Sequence, residues 1–275
     1  MTAFDSATKP LSNFSLVLVN YKTADMTRMC MELLRDYVKA QRIAVWVVDN
    51  DSADASLDYL RSLDWINLLE RPAPNKEAGH IAHGKALDLA LEKIETDYVF
   101  LLHTDTLIHD PEVFEMMMQT CLKSPNTAAV GCVEQLNRGL LRDTWRLTSR
   151  FCKHYVRRAK IHLGWRSKEP KPYRETHLKS FCTLWNARLI KSEGLHFCMD
   201  DRVPGYTLQD RMTGLGYGIR LLSPRKIFRY LEHIQAGTVA AAGTYGKNHR
   251  RTKMYQATLK RLQSQRGKTG WQISG

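Results

Sequence analysis

The chain has 275 residues, of which 43% are hydrophobic and 25% charged, and it carries a formal net charge of +13. That length supports one large α/β domain or two small ones, with a core that needs no disulfides. The composition is ordinary for a globular protein, and no apolar run approaches the roughly 18 residues of a membrane span.

The N-terminus has no basic region followed by an apolar stretch, so no secretory signal is expected. The cysteines at positions 30, 121, 132, 152, 182 and 198 form no Cys-x-x-Cys pair, which argues against a zinc cage or a disulfide framework. Reduced thiols and a cytoplasmic location are expected. The charge is uneven: residues 138–179 hold 13 Lys/Arg against 3 Asp/Glu, residues 244–275 hold 8 against none, and the remainder holds 20 against 25. A mildly acidic body thus carries two basic segments suited to phosphates, acidic lipid headgroups or nucleic acid.

In chain order, Phe14–Asn20 reads as a buried strand and residues 24–40 as a helix, with Met26, Met29, Cys30, Leu33, Leu34 and Tyr37 at helical spacing. Ile43–Val48 is a second strand running into Asp49–Asp54, followed by a short helix over Ser56–Leu63 and a third strand over Trp65–Leu69. A helix is expected over Gly79–Ile94, with Ala82, Ala86, Leu89, Ala90 and Lys93 on one face, then a strand over Tyr98–Leu102 closed by His103-Thr104-Asp105. Pro111–Leu122 is a helix with proline at its start, and Ala128–Cys132 a fifth strand. Repeated βα units of this length imply a mostly parallel sheet with helices on both faces.

The segment 138–179 breaks this rhythm. Leu141, Trp145, Thr148, Cys152, Tyr155 and Ala159 form an apolar stripe beside a basic one of Arg142, Arg146, Arg150, Lys153 and Arg157, the pattern of a basic amphipathic helix. Two prolines near Lys168–Pro172 end it. A strand at Phe181–Trp185, helices at Ala187–Glu193 and Thr207–Leu215, and a strand at Gly218–Leu222 follow. Thr207 with Asp210 three residues on has the spacing of an N-terminal cap.

Ligands of open α/β sheets bind at the carboxyl ends of strands, which places Asp49, Asp51 and Asp105 on one rim. Asp49 can hold a nucleobase or ribose, or it can simply shape an Asp-rich turn; Asp54 fits a helix cap better than a ligand. Asp105, behind a buried strand, suits a hard divalent cation that clamps a diphosphate.

Four motifs in this order resemble family 2 glycosyltransferases of the GT-A (Rossmann-like) fold: Val19-Asn20-Tyr21-Lys22, Asp49-Asn50-Asp51-Ser52-Ala53-Asp54, Asn75…Gly79…Gly84-Lys85 and His103-Thr104-Asp105. Downstream, Leu184–Ile190, Tyr206–Tyr217 and Tyr230–Gly237 continue the likeness, over roughly residues 14–240. The resemblance implies an extension at 1–13, a catalytic domain at 14–240 with a nucleotide-sugar half (about 14–135) and an acceptor half (about 136–240), and a basic tail at 241–275.

It further implies an inverting transfer of a hexosyl or deoxyhexosyl group from a nucleotide diphosphate sugar to an acceptor hydroxyl, in cell-surface polysaccharide or lipopolysaccharide synthesis. Asn20, Tyr21, Asp49, Asp51, Gly79, Lys85, His103 and Thr104 would face the nucleotide. Asp105 and His233 would hold a divalent cation, Mn²⁺ or Mg²⁺, and Asp210 would be the base, with Asp200 and Asp201 as rivals. His103 stands where the family carries an acidic residue, which favours Mn²⁺ over Mg²⁺.

The basic segments point to an anionic acceptor: a lipid-linked glycan at a membrane surface first, then an anionic polysaccharide, then nucleic acid. Competing readings are a GT-A-fold binding protein that has lost catalysis at His103 and a basic nucleic-acid-directed protein, including one that glycosylates DNA bases. A nucleotidyltransferase would need a Gly-rich loop after the first strand, where Asn20–Asp25 stands instead.

Overall fold

The computed structural model describes residues 13–72, 77–137 and 139–234, together with Ala257 and Lys260. The expected N-terminal extension up to residue 12, Asn75, Gly237 and the basic tail, those two residues apart, lie outside the described residues.

Apart from the unexpected short strand β5, the first half alternates as expected: β1 (Phe14–Asn20), α1 (Ala24–Gln41), β2 (Ala44–Asp49), α2 (Ala55–Arg61), β3 (Asn67–Glu70), α3 (Gly79–Lys93), β4 (Tyr98–His103), β5 (Thr106–Ile108), α4 (Glu112–Leu122) and β6 (Thr127–Gly131). Then come α5 (Leu140–His162), β7 (Cys182–Asn186), α6 (Ala187–Ser192), α7 (Tyr206–Gly214), β8 (Gly218–Leu221), α8 (Pro224–Ile227) and β9 (Leu231–His233). Seven strands form one sheet in the order β3-β2-β1-β4-β7-β6-β8, and β5 with β9 makes a second, two-stranded one. β7 runs antiparallel to both β4 and β6, whereas the β1–β2, β1–β4, β2–β3 and β6–β8 pairs are parallel. This is the GT-A arrangement.

Strand alternation splits the core into two layers. Leu16, Leu18, Phe100 and Leu102 pack with Met26, Leu34 and Phe114 on one face of the sheet. Val17, Val99 and Leu101 pack with Ala86, Leu87, Ala90 and Leu91 on the other. The buried face of α3 therefore runs through Leu87 and Leu91, rotated from the expected face through Leu89 and Lys93, because those two leucines reach the sheet.

α7 also begins differently from the expected Thr207–Asp210 cap. Gly205 precedes the helix at φ 83°, Thr207 is buried inside it, and the Asp210 carboxylate is engaged elsewhere. Asp54 does cap α2, accepting from the Ser56 N–H at 3.0 Å.

Two glycines of α3 differ sharply in their surroundings. A Cβ on Gly84 would lie 2.8 Å from Cys198 Cβ and 3.1 Å from Pro204 Cγ, whereas one on Gly79 would meet nothing within 4 Å. Gly84→Ala is expected to cost about 1–3 kcal/mol in urea unfolding through overpacking, and Gly79→Ala to stay within about 0.5 kcal/mol. Equal effects would contradict this packing.

Candidate active site

Parallel pairing aligns the strand ends: Asn20 lies opposite Asp49, and Val19 opposite His103. The carboxyl ends of β1, β2 and β4 thereby form one rim, as the sequence pattern implies.

On the β1–β2 side the polar residues hold each other. The buried Asn20 amide donates to Asp49 Oδ1 at 2.7 Å and to Ser56 Oγ at 2.7 Å, and its Oδ1 accepts from Thr27 Oγ1 at 2.7 Å. Asp49 Oδ2 accepts the Ser52 N–H at 3.0 Å, and Thr104 meets the Thr23 hydroxyl at 3.2 Å. Asn20, Asp49 and Thr104 are thus buried inside the scaffold and set the shape of the rim. Tyr21 and Asp51 stand exposed on it, Asp51 at φ 60°.

Beyond them runs a charged chain of which the sequence singled out only Lys85. Arg71 donates to Asn50 Oδ1 at 2.7 Å and pairs with Glu77 at 2.6 Å, and Glu77 also takes Lys85 at 2.7 Å. Its carboxyl is held below the usual range by the hydrogen bonds from Lys85 and Arg71, which outweigh desolvation.

The second cluster is formed where β4, β5 and β9 meet. Antiparallel pairing puts Thr106 opposite His233, and the Ile234 N–H donates to the Asp105 carbonyl at 2.9 Å. As a result His233 Nε2 lies 3.4 Å from Asp105 Oδ1, and His103 Nδ1 lies 3.8 Å from the same oxygen. The ligand atoms of His103, Asp105 and His233 all fall within 4.8 Å of one another.

Each imidazole is aimed by its other nitrogen. His233 Nδ1 sits 3.0 Å from the Gln135 carbonyl, and His103 Nε2 sits 2.9 Å from Ser180 Oγ. The His233 ring also stacks on Phe181 at 4.7 Å. Such outer partners fix the tautomer and orientation of metal-binding histidines. A third ring, His83 of α3, meets His103 edge-on at 5.3 Å. Burial pushes His83 down to about 4 and His103 down to about 3, in each case against the upward pull of Asp105. Neutral imidazoles are the form that ligates a metal. Two imidazoles and one carboxylate this close together are a donor set that could hold a divalent metal ion.

Asp210, half exposed, lies in a third group. It accepts from His177 Nε2 at 2.9 Å and from Arg202 at 2.8 Å, and His177 stacks on Tyr206 at 4.3 Å. Partial burial raises its carboxyl, but the bonds from Arg202 and His177 prevail and hold it below the ordinary value. Residues 177–181 join this group to the His103–Asp105–His233 cluster, since His177 reaches Asp210 and Ser180 reaches His103. Asp200 and Asp201 are exposed and in left-handed backbone (φ 56° and 49°).

Sequence reasoning missed Arg71, His83, Ser180 and His177. Only His83 carried a signal, four residues before the core residue Leu87 and inside a motif already quoted.

Comparison with known proteins agrees with this fold. Among solved structures, a mannosyltransferase from Pyrobaculum calidifontis in complex with GDP-Man and Mn²⁺ is similar at a TM-score of 0.54 and 16% identity, over 80% of this chain and 58% of that one. The present chain thus spans less than two thirds of that protein's length. S. aureus TarS 1-349 gives a TM-score of 0.48 at 16% identity, over 95% of this chain and 74% of that one. Glucosyl-3-phosphoglycerate synthase from Mycobacterium tuberculosis, in complex with Mn²⁺, UDP and glucosyl-3-phosphoglycerate, gives 0.48 at 15% identity, over 84% and 78%. A search of curated proteins finds no match. The model of the family described as "Glycosyl transferase family 2" matches residues 15–183, more than half of the chain, and the protein belongs to that family.

Proposed function

We propose that this glycosyltransferase moves a hexosyl or deoxyhexosyl group from a nucleotide diphosphate sugar to a glycan hydroxyl, with inversion, in the synthesis of a cell-surface polysaccharide or lipopolysaccharide. The observation that carries the reading is the convergence of His103, Asp105 and His233 at the rim of a GT-A sheet. The similarly folded mannosyltransferase in complex with GDP-Man and Mn²⁺ supports the same donor and ion classes. His103, Asp105 and His233 would hold the cation, which when bound neutralises charge on the departing diphosphate.

The remaining steps fall to side chains. Tyr21 and Asp51 face the base and ribose, and Lys85 and Arg71, on the same rim, attract the donor's negative charge. The carboxylate of Asp210, oriented by His177 and Arg202, accepts the acceptor's proton as the hydroxyl attacks the anomeric carbon. One in-line displacement inverts that carbon.

The test is nucleotide diphosphate release from a panel of nucleotide sugars with and without Mn²⁺. Mn²⁺-dependent release with at least one donor is expected. No turnover with any donor, together with nucleotide binding untouched by Asp105→Ala, would instead favour a non-catalytic binding protein. Asp210→Asn is expected to lower kcat by about 100-fold or more, with Asp200→Asn and Asp201→Asn near wild type. A larger loss at either turn residue would move the base there.

A further inference from the structure

Helix α5 spans 23 residues, and none of them is buried. One face is tied to the body: Arg146 pairs with Glu134, Arg150 with Glu175 at 2.7 Å, and His154 Nδ1 sits 2.8 Å from the Lys171 carbonyl. The opposite face carries Leu141, Trp145, Val156 and, just past the helix, Leu163, at 84%, 77%, 54% and 61% exposure. Their spacing of four, eleven and seven residues puts them along one line of the helix. Trp165 follows at 63% exposure. Exposed apolar residues aligned along one side of a helix mark an interaction surface.

Cations flank the ridge. Between Leu140 and His162 stand seven Lys/Arg and one acidic residue, Asp143. Lys153, Arg157 and Lys160 line a groove with Arg166, Lys168 and Val156. Among the described residues these five make no ion pair.

We infer that α5 and the turn after it lie in the interface of an anionic lipid bilayer, with the ridge among the acyl chains and the groove cations on lipid phosphates. An exposed ridge of aliphatic and tryptophan side chains beside a row of Lys/Arg is the form of helix that settles in that interface. A second copy of the chain would bring seven cations against seven, a like-charge arrangement that opposes pairing. A nucleic acid would satisfy the cations but leave Leu141, Val156 and Leu163 in water. Docking also sets the site beside the membrane, because Arg146 holds Glu134, the neighbour of the Gln135 that orients His233. The inference rests on the helix and is read without any transferase activity.

The test is flotation of the full chain with vesicles of phosphatidylcholine alone or with about 30% phosphatidylglycerol. Binding is expected only to the anionic vesicles, weakening as salt rises from about 0.1 to 0.5 M, with a blue shift of tryptophan fluorescence. Replacing Lys153, Arg157 and Lys160 together by Gln should weaken it about 100-fold. Leu141→Ser with Trp145→Ser should weaken it about tenfold or more while the circular dichroism spectrum stays unchanged. The inference is overturned by equal binding to neutral vesicles or by no binding to either. Displacement by millimolar inorganic phosphate at matched ionic strength, preferential capture of duplex DNA, or a dimer lost in the Leu141/Trp145 variant would overturn it too.

Discussion

Replacing Asp105 by Ala is expected to lower kcat/KM for sugar transfer by about a thousandfold or more, equivalent to about 4 kcal/mol of transition-state stabilisation. Among the described residues Asp105 supplies the only carboxylate of the cluster, and both imidazoles lie within 4 Å of its Oδ1. Without it no carboxylate would remain among the three ligand residues, and a cation offsetting charge on the departing diphosphate would be held far more weakly. Asp105→Asn keeps the shape but not the charge and should be nearly as inactive. A melting temperature close to wild type for Asp105→Asn separates loss of chemistry from loss of fold. Activity within tenfold of wild type in both variants would remove Asp105 from the reaction.

Stability of the metal-free protein is expected to fall by about 4 kcal/mol between pH 7 and pH 5. Burial holds His83 at about 4 and His103 at about 3, against an ordinary 6.5. As pH falls through 6.5 the unfolded chain takes up both protons while the folded chain takes up neither, so the unfolded state gains. Each imidazole contributes about 1.4 kcal/mol per pH unit until its own folded value is reached. Above pH 7 both states are neutral and the effect vanishes. Urea unfolding at pH 7, 6 and 5 in the presence of a chelator measures it, and His83→Gln should remove about half of the drop. A pH-independent midpoint over this range would show that neither ring is held neutral by burial.

The sequence made the sheet legible because its strands are short apolar runs ending in polar residues, and parallel pairing then forces those ends onto one rim. Phe14–Asn20 and Tyr98–His103 are each nearly all buried, the pattern of central parallel strands. The strands β5 and β9 were not legible: each has three residues, too few to show a period, yet their pairing is what brings His233 to Asp105. The motif order pointed to both residues without giving the distance.

Asn20 and Asp49 show the reverse limit. Which partner a buried amide or carboxylate takes within the fold depends on three-dimensional neighbours such as Ser52 and Ser56. His177 and Ser180 were invisible for the same reason: each acts through a residue 33 or 77 positions away. In α5 the periodicity showed the amphipathic helix, although its exposed ridge runs from Leu141 and Trp145 to Val156 and Leu163 where the sequence stripe ran to Thr148, Cys152, Tyr155 and Ala159.

The central claim is that the imidazoles and carboxylate at the rim hold the cation that in turn holds the donor's diphosphate. Calorimetric titration of GDP and UDP into the wild-type protein and Asp105→Ala, each with and without Mn²⁺, tests it most directly. The expected result is that Mn²⁺ tightens binding of at least one nucleotide to the wild type by about tenfold or more and has no effect on the variant. Nucleotide binding indifferent to Mn²⁺ in the wild type, or a full Mn²⁺ gain retained by Asp105→Ala, would contradict it.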